Sequence, residues 1–157
     1  FMNLKIKRLR EEAVMPFYAT SGAAAMDLSA VCPGGSITLA PMERALIPTG
    51  IAIELPDADH VALLFARSSL GMKRGLSLPN GVGVIDSDYR GEIYVALVNL
   101  SGEAVEICTG ERIAQLAVMP IARVTPVEVQ TLGETARGEG GFGSTGVTAD
   151  APDREKA

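Results

Sequence analysis

The residues best equipped for chemistry lie in Gly81-Val82-Gly83-Val84-Ile85-Asp86-Ser87-Asp88-Tyr89-Arg90-Gly91, where two acids and a tyrosine interrupt apolar sequence. A carboxylate can activate water, and an aromatic ring can wall off a flat ligand. Asp-Ser-Asp is also what an ordinary solvated turn contains. Tyr89 separates the two readings, because a turn tip has little need of a ring. A second set is Arg67-Ser68-Ser69-Leu70-Gly71-Met72-Lys73, with two hydroxyls between cations. Free backbone N–H groups at such a turn add donors, so the set fits an anion site as well as a capped turn. Asp27, between Met26 and Leu28, either caps local backbone or serves a site. Gln115 sits inside the apolar run Ile113-Ala114-Gln115-Leu116-Ala117-Val118 and needs partners from backbone or ligand.

The last set is Arg137-Gly138-Glu139-Gly140-Gly141-Phe142-Gly143-Ser144-Thr145-Gly146. Glycine lets backbone amides approach a phosphate, arginine adds a charged fork, and a ring on an arm can close over a base. The same composition also suits a disordered terminus. Gly138, Gly140 and Gly143 spell a G-x-G-x-x-G, but no strand-turn-helix unit surrounds it. No Gly-Lys-Ser/Thr ends the stretch, so it is not a Walker loop.

Composition limits what these sets can do. The 157 residues suit one domain with a substantial core. Apolar residues make up 47% but aromatics only 4%, with no Trp, so the core must be aliphatic. A formal charge of −5 argues against a general nucleic-acid binder or a coat on anionic membranes. No apolar run reaches the roughly 18 residues of a membrane span, and no basic-then-apolar leader precedes a cleavage site. Cys32 and Cys108 stand in apolar settings and are expected as free thiols of a reducing cytoplasm. With His60 the only histidine, a His-rich zinc site is excluded for one chain.

The elements that must position these residues are short strands. Leu4 and Ile6 alternate with lysines, and strands are expected around Asp27, over 36–40, on both sides of Gly50, over 60–66, 104–107, 111–118 and, at an edge, 124–129. Ser68 or Ser69 is expected to cap one helical turn that Gly75 stops. The Asp86 stretch reads as a hairpin joining strands at Gly83 and at Ile93-Tyr94-Val95-Ala96-Leu97-Val98. About a dozen short strands with regular turn punctuation predict an all-β sandwich or jelly roll. Residues from 149 on are expected to be disordered.

Taken in order, Met26-Asp27-Leu28, the Arg67 to Lys73 set, the Asp86 stretch, Gly110-Glu111-Arg112-Ile113-Ala114-Gln115-Leu116 and the glycine-rich tail closely resemble the five motifs of the trimeric dUTPases. Pro48-Thr49-Gly50-Ile51 is similar to that family as well, and the likeness runs from about Leu4 to Gly146. One departure is Ala25, where the family usually has glycine.

The resemblance implies a jelly-roll-like distorted β-barrel with one short helical turn, assembled as a homotrimer with shared active sites. It implies a nucleotide-hydrolase domain over 2–136 and a mobile arm over 137–157 that closes on a neighbouring subunit's site. The implied reaction is hydrolysis of dUTP to dUMP and pyrophosphate. Mg²⁺ would be held mainly by substrate phosphates and waters. Asp86 matches the carboxylate that deprotonates the attacking water, and Arg137 the arginine that reaches the γ-phosphate. Arg67, Ser68, Ser69 and Gln115 match phosphate-holding residues, with Asp27 and Lys73 supporting. Asn80 and the backbone around Gly83 would read the uracil edge, and Tyr89 would pack under deoxyribose and reject a 2′-hydroxyl. Phe142 would stack on uracil, while Gly143, Ser144 and Thr145 would meet the substrate, the hydroxyls on phosphate oxygens. Two other functions share this architecture: a dCTP deaminase, and a nucleotide-binding regulatory trimer.

Overall fold

The computed structural model describes residues 2–142. Among them it places β1 (Lys5–Arg8), β2 (Met26–Ser29), β3 (Ser36–Leu39), β4 (Arg44–Pro48), β5 (Ile51–Glu54) and β6 (His60–Phe65). A helix α1 (Ser68–Arg74) follows, then β7 (Leu76–Ser77), β8 (Gly83–Ile85), β9 (Tyr94–Asn99), β10 (Val105–Cys108) and β11 (Arg112–Pro120). The chain is all-β, as its short β-branched runs predict. A four-stranded sheet has the order β2-β11-β6-β8 and a three-stranded sheet β4-β9-β7. The pairs β1-β5 and β10-β3 stand as separate ladders, so the hydrogen bonding among the described residues does not close into a barrel.

The core is aliphatic. Leu28, Leu39, Ile47, Ile51, Leu76, Ile93, Leu97, Ile107, Ile113 and Leu116 are essentially without exposed surface. Each such side chain contributes about 1.5–3 kcal/mol relative to exposure. In β9 the alternation is visible in register: Val95 faces inward opposite Ile47, while Ala96 sits opposite the exposed Leu46.

Three expectations meet a different outcome. The stretch around Asp86 does not form a paired hairpin, because β8 pairs with β6 and β9 pairs with β4 and β7. Ser68 and Ser69 do not cap α1. The N-cap position is Arg67, without a side-chain hydrogen bond, while Gly75 does end the helix in the left-handed region at φ 67°. Residues 124–129 form no strand, for their alternation finds no ladder partner. The chain divides into two compact units between Arg123 and Val124.

Two polar centres hold the loops of the first unit. Asn99, fully buried, donates to the carbonyls of Leu39 (2.9 Å) and Glu103 (2.7 Å) and accepts from the Ser101 amide and hydroxyl. Glu92 accepts two bonds of 3.0 Å from Arg10, one of 2.9 Å from the Gly50 amide and one of 3.0 Å from Tyr94. Gly50 has φ 70°, and a Cβ there would lie 2.8 Å from that of Ala13. Burial pushes the Glu92 carboxyl up, but hydrogen bonds from Arg10, Tyr94 and Gly50 and the Arg10 charge outweigh it and hold it below the usual carboxylate range.

Asn99→Ala leaves the Leu39 and Glu103 carbonyls without that donor and is expected to lower unfolding free energy by about 1–3 kcal/mol. An unchanged urea midpoint would show that the 99–103 loop does not rest on it. The depressed Glu92 pKa contributes stability that is complete above the unfolded value of about 4.3 and is lost as pH falls through the lower folded value. The urea-midpoint gap between wild type and Glu92→Gln is therefore expected to be widest near neutral pH and to close below about pH 4. A gap that persists unchanged into acid would refute the charge linkage.

Candidate active site

An open cavity of about 290 Å³ is lined by Asn80, Gly83, Asp86 and Tyr89, with apolar walls from Leu64, Leu78 and Ile93. Its size is at the lower end of small-ligand sites. Gly83 is buried on β8, and a Cβ there would meet Leu64 at 2.9 Å, so only glycine lets the strand lie this close to β6. Beyond Ile85 the ladder stops and a turn closes with the Tyr89 amide donating to the Asp86 carbonyl at 3.2 Å. The Arg90 guanidinium caps the same turn through the carbonyls of Ser87 (2.7 Å) and Tyr89 (3.0 Å). Asp86 is exposed at the rim. An exposed carboxylate beside a partly apolar cavity is free to accept a proton from water held there. The Tyr89 hydroxyl donates to the Glu92 carbonyl at 2.9 Å. Its ring lies over Gly91, where a Cβ would come within 2.6 Å of Cζ.

A second group of candidates gathers across the four-stranded sheet. Asp27, 7% exposed, receives Arg67 Nε on one carboxylate oxygen and Arg112 Nη1 on the other, both at 2.9 Å. Arg67 Nη1 also donates to the Arg112 carbonyl at 3.2 Å. Asp27 thus pairs with two guanidiniums rather than capping a turn. Gln115 lies in register between Asp27 and Phe65, and its amide donates to the Ala66 carbonyl at 3.3 Å. Ser68, Ser69 and Lys73 are exposed on α1, just beyond Arg67. None of Arg67, Ser68, Ser69 or Gln115 lines the Asp86 cavity.

In the second unit, Arg137 Nε donates to the Gly140 carbonyl at 2.8 Å, and the Gly138 amide reaches the Thr135 hydroxyl at 3.1 Å. Phe142 is fully exposed, with φ 50°. Gly143, Ser144 and Thr145 lie outside the described residues.

Three residues absent from the sequence-based set prove structural to the site: Arg112, Glu92 and Arg10. Arg112 had a readable signal, since an acid between two apolar residues needs a cation. The Arg10–Glu92 pair, 82 residues apart, had none. Cys32 is buried and Cys108 exposed, both as free thiols. Among the described residues no helix is long and apolar enough to cross a membrane.

A family model described as dUTPase matches residues 11–146. The deoxyuridine 5′-triphosphate nucleotidohydrolase of Hydrogenobaculum sp. is 50% identical over 146 residues, spanning 93% of this chain and 99% of that protein. Its counterpart in Methylocella silvestris is 48% identical over 151 residues, spanning 94% of each. Among solved structures, the Staphylococcus bacteriophage 80alpha dUTPase with dUPNHPP aligns with a TM-score of 0.83 at 28% identity, over 92% of this chain and 99% of that one. The dUTPase from Streptococcus mutans aligns with a TM-score of 0.70 at 30% identity, over 77% and 98%. With the motif residues placed around the cavity and across the sheet, and the match spanning both, the chain belongs to the dUTPase family.

Proposed function

We propose that the chain hydrolyses dUTP to dUMP and pyrophosphate, as a homotrimer whose active sites draw on more than one subunit. The observation that carries the reading is the division of the motif residues. The base and sugar candidates line one cavity, and the phosphate-holding candidates gather elsewhere in the same subunit. A site that needs both is completed when one subunit's cavity meets another's Arg67 cluster. Residues 137–157 serve as the arm over that site, and residues 2–136 as the hydrolase domain.

In this reading uracil enters the cavity against Asn80 and the backbone at Gly83, and a tight fit there excludes a thymine methyl group. Tyr89 packs under the deoxyribose. Asp86 takes a proton from the water that attacks the α-phosphorus in line, and pyrophosphate leaves. Arg67 spends Nε and Nη1 on the protein, which aims Nη2 at a phosphate, alongside Ser68, Ser69 and Gln115. Lys73 adds positive charge on the same helix. Phe142 stacks on the base, Arg137 reaches the γ-phosphate, and Gly143, Ser144 and Thr145 complete the cover.

The described residues offer no group of three or more acids, histidines or cysteines that would hold a metal. Mg²⁺ would be held mainly by substrate phosphates and waters. Bound there, it would neutralise charge on the departing pyrophosphate.

The test is pyrophosphate release from dUTP, dCTP, dTTP and UTP with Mg²⁺, repeated with EDTA. Release from dUTP alone, abolished by chelation, supports the reading. Ammonia release from dCTP would replace it with a deaminase. Asp86→Asn is expected to bind dUTP and lose about 10²–10⁴-fold in kcat. Co-expressed with Arg67→Met, it is expected to recover part of the activity that each variant lacks, since mixed trimers contain intact composite sites. No recovery in verified mixed trimers would confine the site to one subunit. Removing residues 137–157 is expected to leave a folded trimer with little activity. Near-normal turnover would refute the role of the arm.

A further inference from the structure

We propose that Glu92 is a positioning residue for Tyr89, and that its clasp by Arg10 sets how strictly the site rejects a ribonucleotide. The proposal rests on the dUTP-hydrolase reading above.

Tyr89 is 44% exposed and lines the cavity, and among the described residues its side chain has one hydrogen-bond partner, the Glu92 carbonyl at 2.9 Å from its hydroxyl. Beneath the ring, Gly91 offers no Cβ to support it; one there would sit 3.0 Å from Cε2 and closer still to Cζ. The ring goes where the residue-92 carbonyl goes.

That carbonyl lies in the connection between β8 and β9, outside any strand. Two ties hold its position: the amide of the same planar peptide unit, that of Ile93, and the Glu92 side chain, which anchors the Cα before it. The Arg10 Nε and the Gly50 amide meet Glu92 Oε1, and Arg10 Nη2 and the Tyr94 hydroxyl meet Oε2. Both carboxylate oxygens are therefore doubly engaged. The next residue is tied to the same turn. The Ile93 amide donates to the Ile51 carbonyl at 2.8 Å, and the Thr49 hydroxyl donates to the Ile93 carbonyl at 2.7 Å. Glu92 thus holds two rings of the cavity, Tyr89 through its carbonyl and Tyr94 through its carboxylate.

Rejection of a 2′-hydroxyl by a ring is steric, and steep repulsion makes it sensitive to displacements of a few tenths of an ångström. Binding of the smaller deoxyribose tolerates the same displacement. Loosening Glu92 should then admit UTP more than it harms dUTP.

The experiment measures kcat and KM of the full chain for dUTP and UTP with Mg²⁺, in wild type, Glu92→Ala and Gly91→Ala. Gly91→Ala displaces the ring without touching the clasp. In both variants the dUTP:UTP ratio of kcat/KM is expected to fall about tenfold, chiefly through a lower KM for UTP. Tyr89→Ala combined with Glu92→Ala should be no less selective than Tyr89→Ala alone, because the two changes act through one ring. Should Glu92→Ala fail to fold, Glu92→Gln, which keeps one acceptor oxygen, takes its place. An unchanged ratio, with turnover of both nucleotides reduced by one common factor, would overturn the proposal and leave Glu92 a structural residue. Wild-type protein that turns over neither nucleotide would overturn the dUTP-hydrolase reading, and this one with it.

Discussion

A carboxylate buried between Met26 and Leu28 must be neutralised where it stands, and much of the four-stranded sheet is arranged around that requirement. An ion left uncompensated inside a protein costs several kcal/mol, and removing one partner of a buried pair costs about 3–5 kcal/mol. Asp27 meets this with guanidiniums from two directions, Arg112 from the start of β11 and Arg67 from the N-cap position of α1. One charge therefore sutures β2 to the strand beside it and to the segment that enters α1. It also fixes the direction of the Arg67 guanidinium, which donates to the Arg112 carbonyl as well. Gln115, in register beside Asp27, extends the polar row across a sheet whose other residues are mostly aliphatic.

The unpaired β8–β9 connection has its own logic. Leu64 and Ile85 belong to the four-stranded sheet, while Leu46, Tyr94 and Ala96 belong to the three-stranded one, and all of them line the same cavity. The cavity is the gap where the two sheets part. Had the strands flanking Asp86 paired with each other, their ladder would have filled that gap. The chain crosses from sheet to sheet instead, and the crossing carries Asp86 and Tyr89 to the rim.

Much of this was legible in the sequence, for local reasons. Strand positions follow from β-branched runs and turn residues, the helix stop from Gly75, and the aliphatic core from the scarcity of rings. The motif residues could be named because each stands out against its neighbours: an acid between apolar residues, an amide inside a strand, a tyrosine at a tip. What the sequence leaves open is pairing. Gly83-Val84-Ile85 and Tyr94 onward are compatible with each other and with other strands alike, so proximity in the chain misleads. The Arg10–Glu92 clasp joins residues too far apart, and of types too common on surfaces, to be singled out. The alternation at 124–129 shows the converse, a strand-like pattern with no partner to realise it.

The scarcity of rings has an optical consequence. With no tryptophan and three tyrosines, near-ultraviolet absorption and emission come mainly from Tyr18, Tyr89 and Tyr94. None of these is buried in the core, and two line the cavity. In most proteins such signals report on the packed interior. Here the interior is nearly silent, and the chain carries its own chromophores at the mouth of the site.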